Sequence, residues 1–318
     1  MIAAILRKQF SPPSESSVAT CKVARLCIHV HVILCLVVAD AVIFPSPRGQ
    51  PGGMPSDGDR LKAINNAVRG QEDAGPWLPL ESNPDVFTSF ARKVGLPAPW
   101  EFRDVWGLDD DMLAMMPRPV AAVILLFPCT DRIYAERAEE ARRLKAAAAA
   151  GGPGAVSAAY HLEQVASFGN ACGTIACMHV LTNVKLAGMQ GPVSKFRAET
   201  SEMTAAERGR ALLTTQHLRQ ESDQAAEHVA AQTHCPARDG PSLDHHYCAF
   251  VPLVSPATGV EHVVELDGTK VSAVDHGPVG GSGHFLEAVA DVVRRRFMQL
   301  EPDNAEFSMM ALCQPPTP

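Results

Sequence analysis

The sequence predicts a mixed α/β (α+β) fold, and three features predict it. Val120 to Phe127 (VAAVILLF) is a continuous apolar run closed on both sides by proline, the pattern of a strand buried on both faces. Tyr247 to Val254 and Glu261 to Leu266 are two further strand-like runs joined by Pro256-Ala257-Thr258-Gly259, the pattern of a neighbouring strand pair. Around these lie helical segments, of which residues 285–299 (FLEAVADVVRRRFMQ) are the most amphipathic.

In chain order, residues 1–76 stand apart as an extension. Residues 1–25 are polar and basic, and Leu26 to Phe44 is an apolar stretch broken by His29, His31 and Asp40. It is just long enough to span a bilayer, but an internal Asp and two His are costly there. The same stretch followed by Ala39-Asp40-Ala41 also has features of a signal sequence. Weighed against membrane association or secretion, the favoured reading is an extension with no role in the fold. Residues 45–60 are rich in Pro and Gly and read as a linker.

From Trp77 the chain reads as globular, one domain over 77–313 with a short tail, 314–318. Asn83-Pro84-Asp85 opens a helix through Phe87, Phe90 and Val94 that Gly95 stops. Residues 132–150 form helix-prone but mostly polar sequence, read as an exposed helix or a partly disordered insert. A further helix starts near Cys172 and runs through His179 and Leu181. Residues 204–213 begin helical, and Ser222 to Leu243 lack apolar periodicity and read as a long loop, a length that usually marks function or disorder. Phe307 to Leu312 is a short last strand. No internal repeat is visible.

Composition narrows the function. With 28 Lys and Arg against 35 Asp and Glu, the net charge is −7, which argues against a nucleic-acid partner. Nine cysteines occur without a CxxC or finger-like Cys/His spacing, so no metal site is expected, and the odd count suits a reduced, cytoplasmic protein.

One cysteine stands out. In Asn170-Ala171-Cys172-Gly173-Thr174 a polar residue and small residues precede an apolar helical pattern, which puts the thiol at a helix N-terminus. Unpaired N–H groups and the helix dipole there favour a thiolate and could also hold an oxyanion. A thiolate needs a base, and the base needs an orienter. His246 opens one proposed strand and Asp267 closes the other, so they can be cross-strand neighbours. Taken singly, Cys172 reads as a core thiol, His246 as a strand-start histidine and Asp267 as a turn former. Together they read as a nucleophile, base and acid.

Several blocks carry a family resemblance. WLPLESNP (77–84), MPRPV (116–120) with the strand after it, NACGTIA (170–176), ELDG (265–268) with DHG (275–277), and EPD (301–303) with Phe307 stand in the family's order. Over residues 77–313 the sequence resembles the ubiquitin carboxyl-terminal hydrolases, the UCH family of papain-like cysteine deubiquitinases (peptidase family C12). The resemblance implies a central antiparallel β-sheet flanked by helices, with a knotted backbone. It implies Cys172 as nucleophile, His246 as base and Asp267 as orienting acid. His246 is preferred to His245 because the family histidine is followed by an aromatic residue, here Tyr247.

Two features depart from the family. The oxyanion-hole glutamine belongs six residues before the cysteine, where this chain has Ala166; the nearest glutamine is Gln164, which an insertion or bulge could bring into place. The separation of His246 and Asp267 is also longer, an excess that the turn at Ser255–Val260 can absorb.

The resemblance implies hydrolysis of small adducts from the C-terminal glycine of ubiquitin or a ubiquitin-like protein, without a cofactor, by a monomer in the cytoplasm or nucleus. It implies that Ser222–Leu243 holds a crossover loop that filters leaving groups. It also implies contacts from Leu78, Pro79 and Leu80 to the globular part of ubiquitin, against a core-packing reading of the same three residues. The alternatives are an impaired, ubiquitin-binding relative lacking the glutamine, a hydrolase for another ubiquitin-like modifier, and a Cys-His-Asp acyltransferase. The last leaves the WLPLE and PRPV blocks unexplained.

Overall fold

The computed structural model describes residues 76–149, 159–237, 243–256, 258–280 and 284–315. The targeting and linker readings for residues 1–75 lie outside the described residues.

The described strands form one antiparallel sheet in the order β1 (Glu101–Asp104), β6 (Ser308–Cys313), β2 (Val120–Pro128), β3 (His245–Val254), β4 (Glu261–Leu266), β5 (Val274–Pro278). Interior strands are apolar on both faces because both faces are covered. Along β2, Ala122 and Ile124 enter one core while Val123, Leu125 and Phe127 enter the other. β3 divides in the same way, Ala249 and Val251 against Cys248 and Phe250.

The first core is covered by α1 (Pro84–Val94), α4 (Cys172–Asn183), α5 (Pro192–Glu199), α6 (Ala205–Thr214) and α7 (Gln216–Ala226). The second is covered by α2 (Asp110–Ala114), α3 (Asp131–Ala149) and α8 (Phe285–Arg296). α1 begins where its sequence signals it: Asn83 Oδ1 accepts from Asp85 N at 2.9 Å, with Pro84 in the first turn. It ends at Gly95, at φ 132°, where an added Cβ would lie 1.7 Å from the Gln190 carbonyl oxygen.

Three sequence expectations are corrected. The loop expected from Ser222 begins after Ala226, because α7 continues to that residue; Ser222 is buried, its hydroxyl 2.6 Å from that of Thr174. α3 is not an exposed polar helix, since Ile133, Arg137 and Glu140 form a buried inward face. That face takes charge because each charged residue meets an opposite partner, as burial requires. The short elements β1, β5, α2 and α5 were not foreseen. Four- to eight-residue segments carry too little periodicity to declare themselves.

α6 also fixes the chain that leads to Cys172. Glu163 N donates to Ala205 O at 3.0 Å, and an added Cβ on Gly209 would lie 2.0 Å from Glu163 O. Gly→Ala inside an exposed helix would stabilise by about 1 kcal/mol. Here the backbone clash dominates, so Gly209→Ala is expected to lower the unfolding free energy by about 1–3 kcal/mol in urea denaturation. A variant as stable as wild type would show that α6 does not press on Glu163.

Candidate active site

Three elements converge at one end of the sheet. α4 is buried along all twelve residues, its polar Thr174, His179, Thr182 and Asn183 included, and it starts at Cys172. Its N-cap, Ala171, provides no side-chain acceptor, so no capping side chain occupies the first-turn N–H groups. β3 contributes His246. β4 pairs with β3 as far as Leu266 and Ala249, so Asp267, one step further, comes opposite Cys248 and diagonal to His246. The diagonal closes: His246 Nε2 lies 2.8 Å from Asp267 Oδ1.

Both groups are removed from water, with side-chain exposures of 1% and 0%. Burial alone would push the Asp267 carboxyl up. The Arg137 guanidinium and then the His246 charge outweigh it and hold the carboxyl well below its ordinary range. Burial likewise lowers His246, but the charge and hydrogen bond of Asp267, then those of Cys172, raise it to about 9. With Nε2 committed to Asp267, Nδ1 is the ring nitrogen left for the Cys172 thiol. Phe127 braces the imidazole edge-on, ring centres 5.6 Å apart. His245 points elsewhere, its Nε2 3.5 Å from Glu306 at the surface. The structure therefore brings together Cys172, His246 and Asp267, and not His245.

The block 77–80 forms a wall beside Cys172. Trp77 N donates to Phe168 O at 2.9 Å, and the two rings meet edge-on at 5.2 Å. An added Cβ on Gly173 would lie 3.2 Å from both Leu80 and Tyr247, so these residues close tightly on the thiol's neighbour. Tyr247 Oη donates to Leu80 O at 3.2 Å. Leu78 and Leu80 are thus core residues rather than free surface, and only Pro79 of the three is half-buried. For the two leucines this is the core-packing reading.

Ala166 is exposed and starts a 3-10 turn, Ala166–Phe168, between Gln164 and the cysteine. Gln164 lies buried beneath that turn. Its backbone N donates to Gly268 O at 2.7 Å, next to Asp267, and its Nε2 donates to Gly169 O at 2.9 Å, within the approach to Cys172. Its Oε1 is buried without a partner, and reversing the amide would set two oxygens against each other.

Beyond Leu80 opens a groove of about 800 Å³. Glu81, Asp85, Glu101 and Asp104 line it with the exposed Trp106 and Met115, and its one guanidinium, Arg103, is paired with Glu101. Burial and then the charge of Asp85 push the Asp104 carboxyl up, a sign of crowded negative charge. The loop after α7 is stitched to one wall: Glu81 accepts from the N–H groups of Gln232 and Thr233 at 2.8 and 3.0 Å, and Asn83 Nδ2 donates to Ala230 O at 2.9 Å.

Sequence reasoning missed Arg137 and Thr269, and it expected acidic residues at a groove for an arginine-bearing tail without naming them. The signal for Arg137 was its place four residues after Ile133, on the inward face of a helix that read as polar throughout. The groove acids come from two separate stretches, 81–85 and 101–104, so no local pattern joins them.

Residues 77–298 match the family model described as ubiquitin carboxyl-terminal hydrolase, family 1. The chain is 33% identical over 237 residues to a ubiquitin carboxyl-terminal hydrolase of Drosophila melanogaster, which covers 74% of this chain and 96% of that protein. A probable ubiquitin carboxyl-terminal hydrolase of Dictyostelium discoideum is 31% identical over 243 residues, 76% of this chain and 89% of the other. Among solved structures, Trichinella spiralis UCH37 bound to ubiquitin vinyl methyl ester shares the fold with a TM-score of 0.53, at 20% identity over 75% of this chain and 82% of that one.

The raised His246 pKa has a definite sign in stability. Its contribution is full below the ordinary histidine value of 6.5 and is lost as pH rises from there through about 9. Denaturation of wild type and His246→Gln between pH 6 and 10 is expected to show their stability difference narrowing as pH rises. A difference that widens would reverse the assignment of charge at this site.

Proposed function

The chain belongs to the ubiquitin carboxyl-terminal hydrolase family, family 1, and from that premise we propose a deubiquitinating cysteine hydrolase that uses Cys172, His246 and Asp267 to release small adducts or peptides from the C-terminal glycine of ubiquitin. The observation that carries this reading is the buried His246–Asp267 contact at 2.8 Å beside a helix N-terminus that starts at Cys172.

In this reading His246 takes the Cys172 proton through Nδ1, and the resulting thiolate is stabilised by the imidazolium and by the start of α4. The sulfur attacks the carbonyl carbon of the terminal glycine, and the carbonyl oxygen becomes an oxyanion. First-turn N–H groups of α4 and the second N–H of Gln164 Nε2, not engaged by Gly169, are the donors for it. As the C–N bond breaks, His246 passes its proton to the leaving amine. It then takes a proton from water, which attacks the thioester and frees Cys172. Asp267 keeps the imidazole in one orientation and balances its charge throughout.

The acidic groove suits a tail that carries arginines, because guanidinium–carboxylate bonds are charge-assisted and directional. Ubiquitin's C-terminal segment has that chemistry, and the Trichinella spiralis structure with the same fold is bound to a ubiquitin derivative. Pro79, half-buried at the end of the wall, is the one residue of its trio placed to touch the globular part of ubiquitin. Gln164 beneath the 3-10 turn favours an active enzyme over an impaired binder.

Hydrolysis of a fluorogenic ubiquitin C-terminal amide tests the assignment. Cys172→Ala is expected to abolish turnover, and His246→Ala to lower kcat on the order of 10³-fold or more, as for other triad losses. His245→Ala is expected to stay near wild type. Gln164→Ala is expected to cost ~10²–10³ in kcat, the usual effect of losing an oxyanion donor. Activity that survives in His246→Ala but not in His245→Ala would overturn the assignment.

A further inference from the structure

The Asp267 carboxylate is shared between two partners. Oδ1 faces His246, while Oδ2 accepts from Arg137 Nη1 at 2.8 Å. Arg137 Nη2 donates to Thr269 Oγ1 at 2.6 Å, and that hydroxyl donates to Asp267 Oδ1 at 2.7 Å. Thr269 N adds a bond to the same oxygen at 2.8 Å. Arginine, threonine and aspartate thus close a ring of hydrogen bonds inside the protein, Arg137 being 4% exposed and Asp267 fully buried. The guanidinium also lies over the Phe127 ring, 5.8 Å from its centre, and that ring braces His246.

Arg137 is itself held firmly. Its helix, α3, places Glu140 three residues further along the same face, and Glu140 bonds Lys270 Nζ. Lys270 Nζ also lies 2.7 Å from Glu265, the residue two before Asp267. Arg296 Nη2 meets Glu140 at 3.0 Å from α8. The helix is therefore tied to the segment after β4 at two neighbouring points, and its register relative to Asp267 is set.

Resting on the triad reading above, we propose that Arg137 is a positioning residue for the reaction, locking Asp267 so that a single oxygen is presented to His246. The physical case is one of directions. A buried carboxylate held at one oxygen only can turn about its own axis, and turning it moves the acceptor away from the imidazole N–H. The arginine fork spans Asp267 and Thr269 at once, which fixes the rotation as well as the charge. A lysine supplies the charge and one bond direction, but no planar fork. Arg137 is not among the residues lining the acidic groove, so its loss is expected to act on turnover rather than on substrate binding.

The test uses Arg137→Gln, Arg137→Lys and Thr269→Val in the full chain, with two readouts. One is kcat and KM on the fluorogenic ubiquitin amide. The other is the pH profile of Cys172 alkylation by iodoacetamide, which needs no ubiquitin. Arg137→Gln is expected to lower kcat by ~10–100-fold with KM within about twofold, the scale of a misplaced catalytic group. Its alkylation profile is expected to shift the upper inflection from near 9 towards neutral pH, because the Asp267 carboxylate that raises His246 is no longer held towards it. Arg137→Lys is expected to recover only part of kcat, and Thr269→Val, which keeps both charges, to lower it several-fold. Wild-type kcat with an unshifted profile in folded Arg137→Gln would overturn the proposal, as would full recovery by lysine. Should Arg137→Gln fail to fold, the lysine and valine variants decide by the same criteria. A wild type that cleaves no ubiquitin substrate would overturn the functional reading instead, leaving the alkylation profiles to decide on Arg137.

Discussion

A carboxylate without water is the constraint on which the site depends. Asp267 is fully buried, so its charge persists only because His246 stands at one oxygen and Arg137 at the other. Removing one partner of a buried ion pair typically costs about 3–5 kcal/mol, because the remaining charge is left uncompensated. The end of β4, the start of β3 and the inward face of α3 therefore meet at a point where none can shift alone. Stability and reactivity share this contact, since the charge that secures the turn after β4 also raises the His246 pKa.

Cys172 is placed by a different kind of force. α4 is buried on all sides, and its start is set by steric closeness rather than by a capping side chain. Leu80 and Tyr247 close over Gly173, and Trp77 pairs with the turn that carries Phe168. The block 77–80 is thus part of the wall around Cys172. Its backbone runs beside the acidic groove, with Glu81 holding the loop after α7. The wall around the thiol and a surface for a basic tail are consecutive stretches of one segment.

Much of the site was legible where chemistry sits in short, local patterns. Cys172 declares itself by small and polar residues before an apolar helix, and His246 and Asp267 by their places at strand ends. The four strands named from the sequence matched because apolar alternation and proline boundaries are local properties. Arg137 was hidden, because a charged residue on a polar helix looks solvated until its partner across 130 residues of chain is known. Gln164 stayed ambiguous because its spacing to Cys172 differs from the family's, and spacing alone does not show that its amide is bonded to Gly169 O. Leu78 and Leu80 were open between surface and core because an apolar residue before a helix fits either; their packing settles them as core.

The central claim is that one thiol of nine, Cys172, is the nucleophile towards the ubiquitin C-terminus. Treating the protein with ubiquitin bearing a C-terminal electrophile, then mapping the adduct by peptide mass spectrometry, measures that directly. A single adduct on the peptide containing Cys172, absent in Cys172→Ala, is the predicted result. An adduct at another cysteine, or no adduct on folded wild-type protein, would contradict the account.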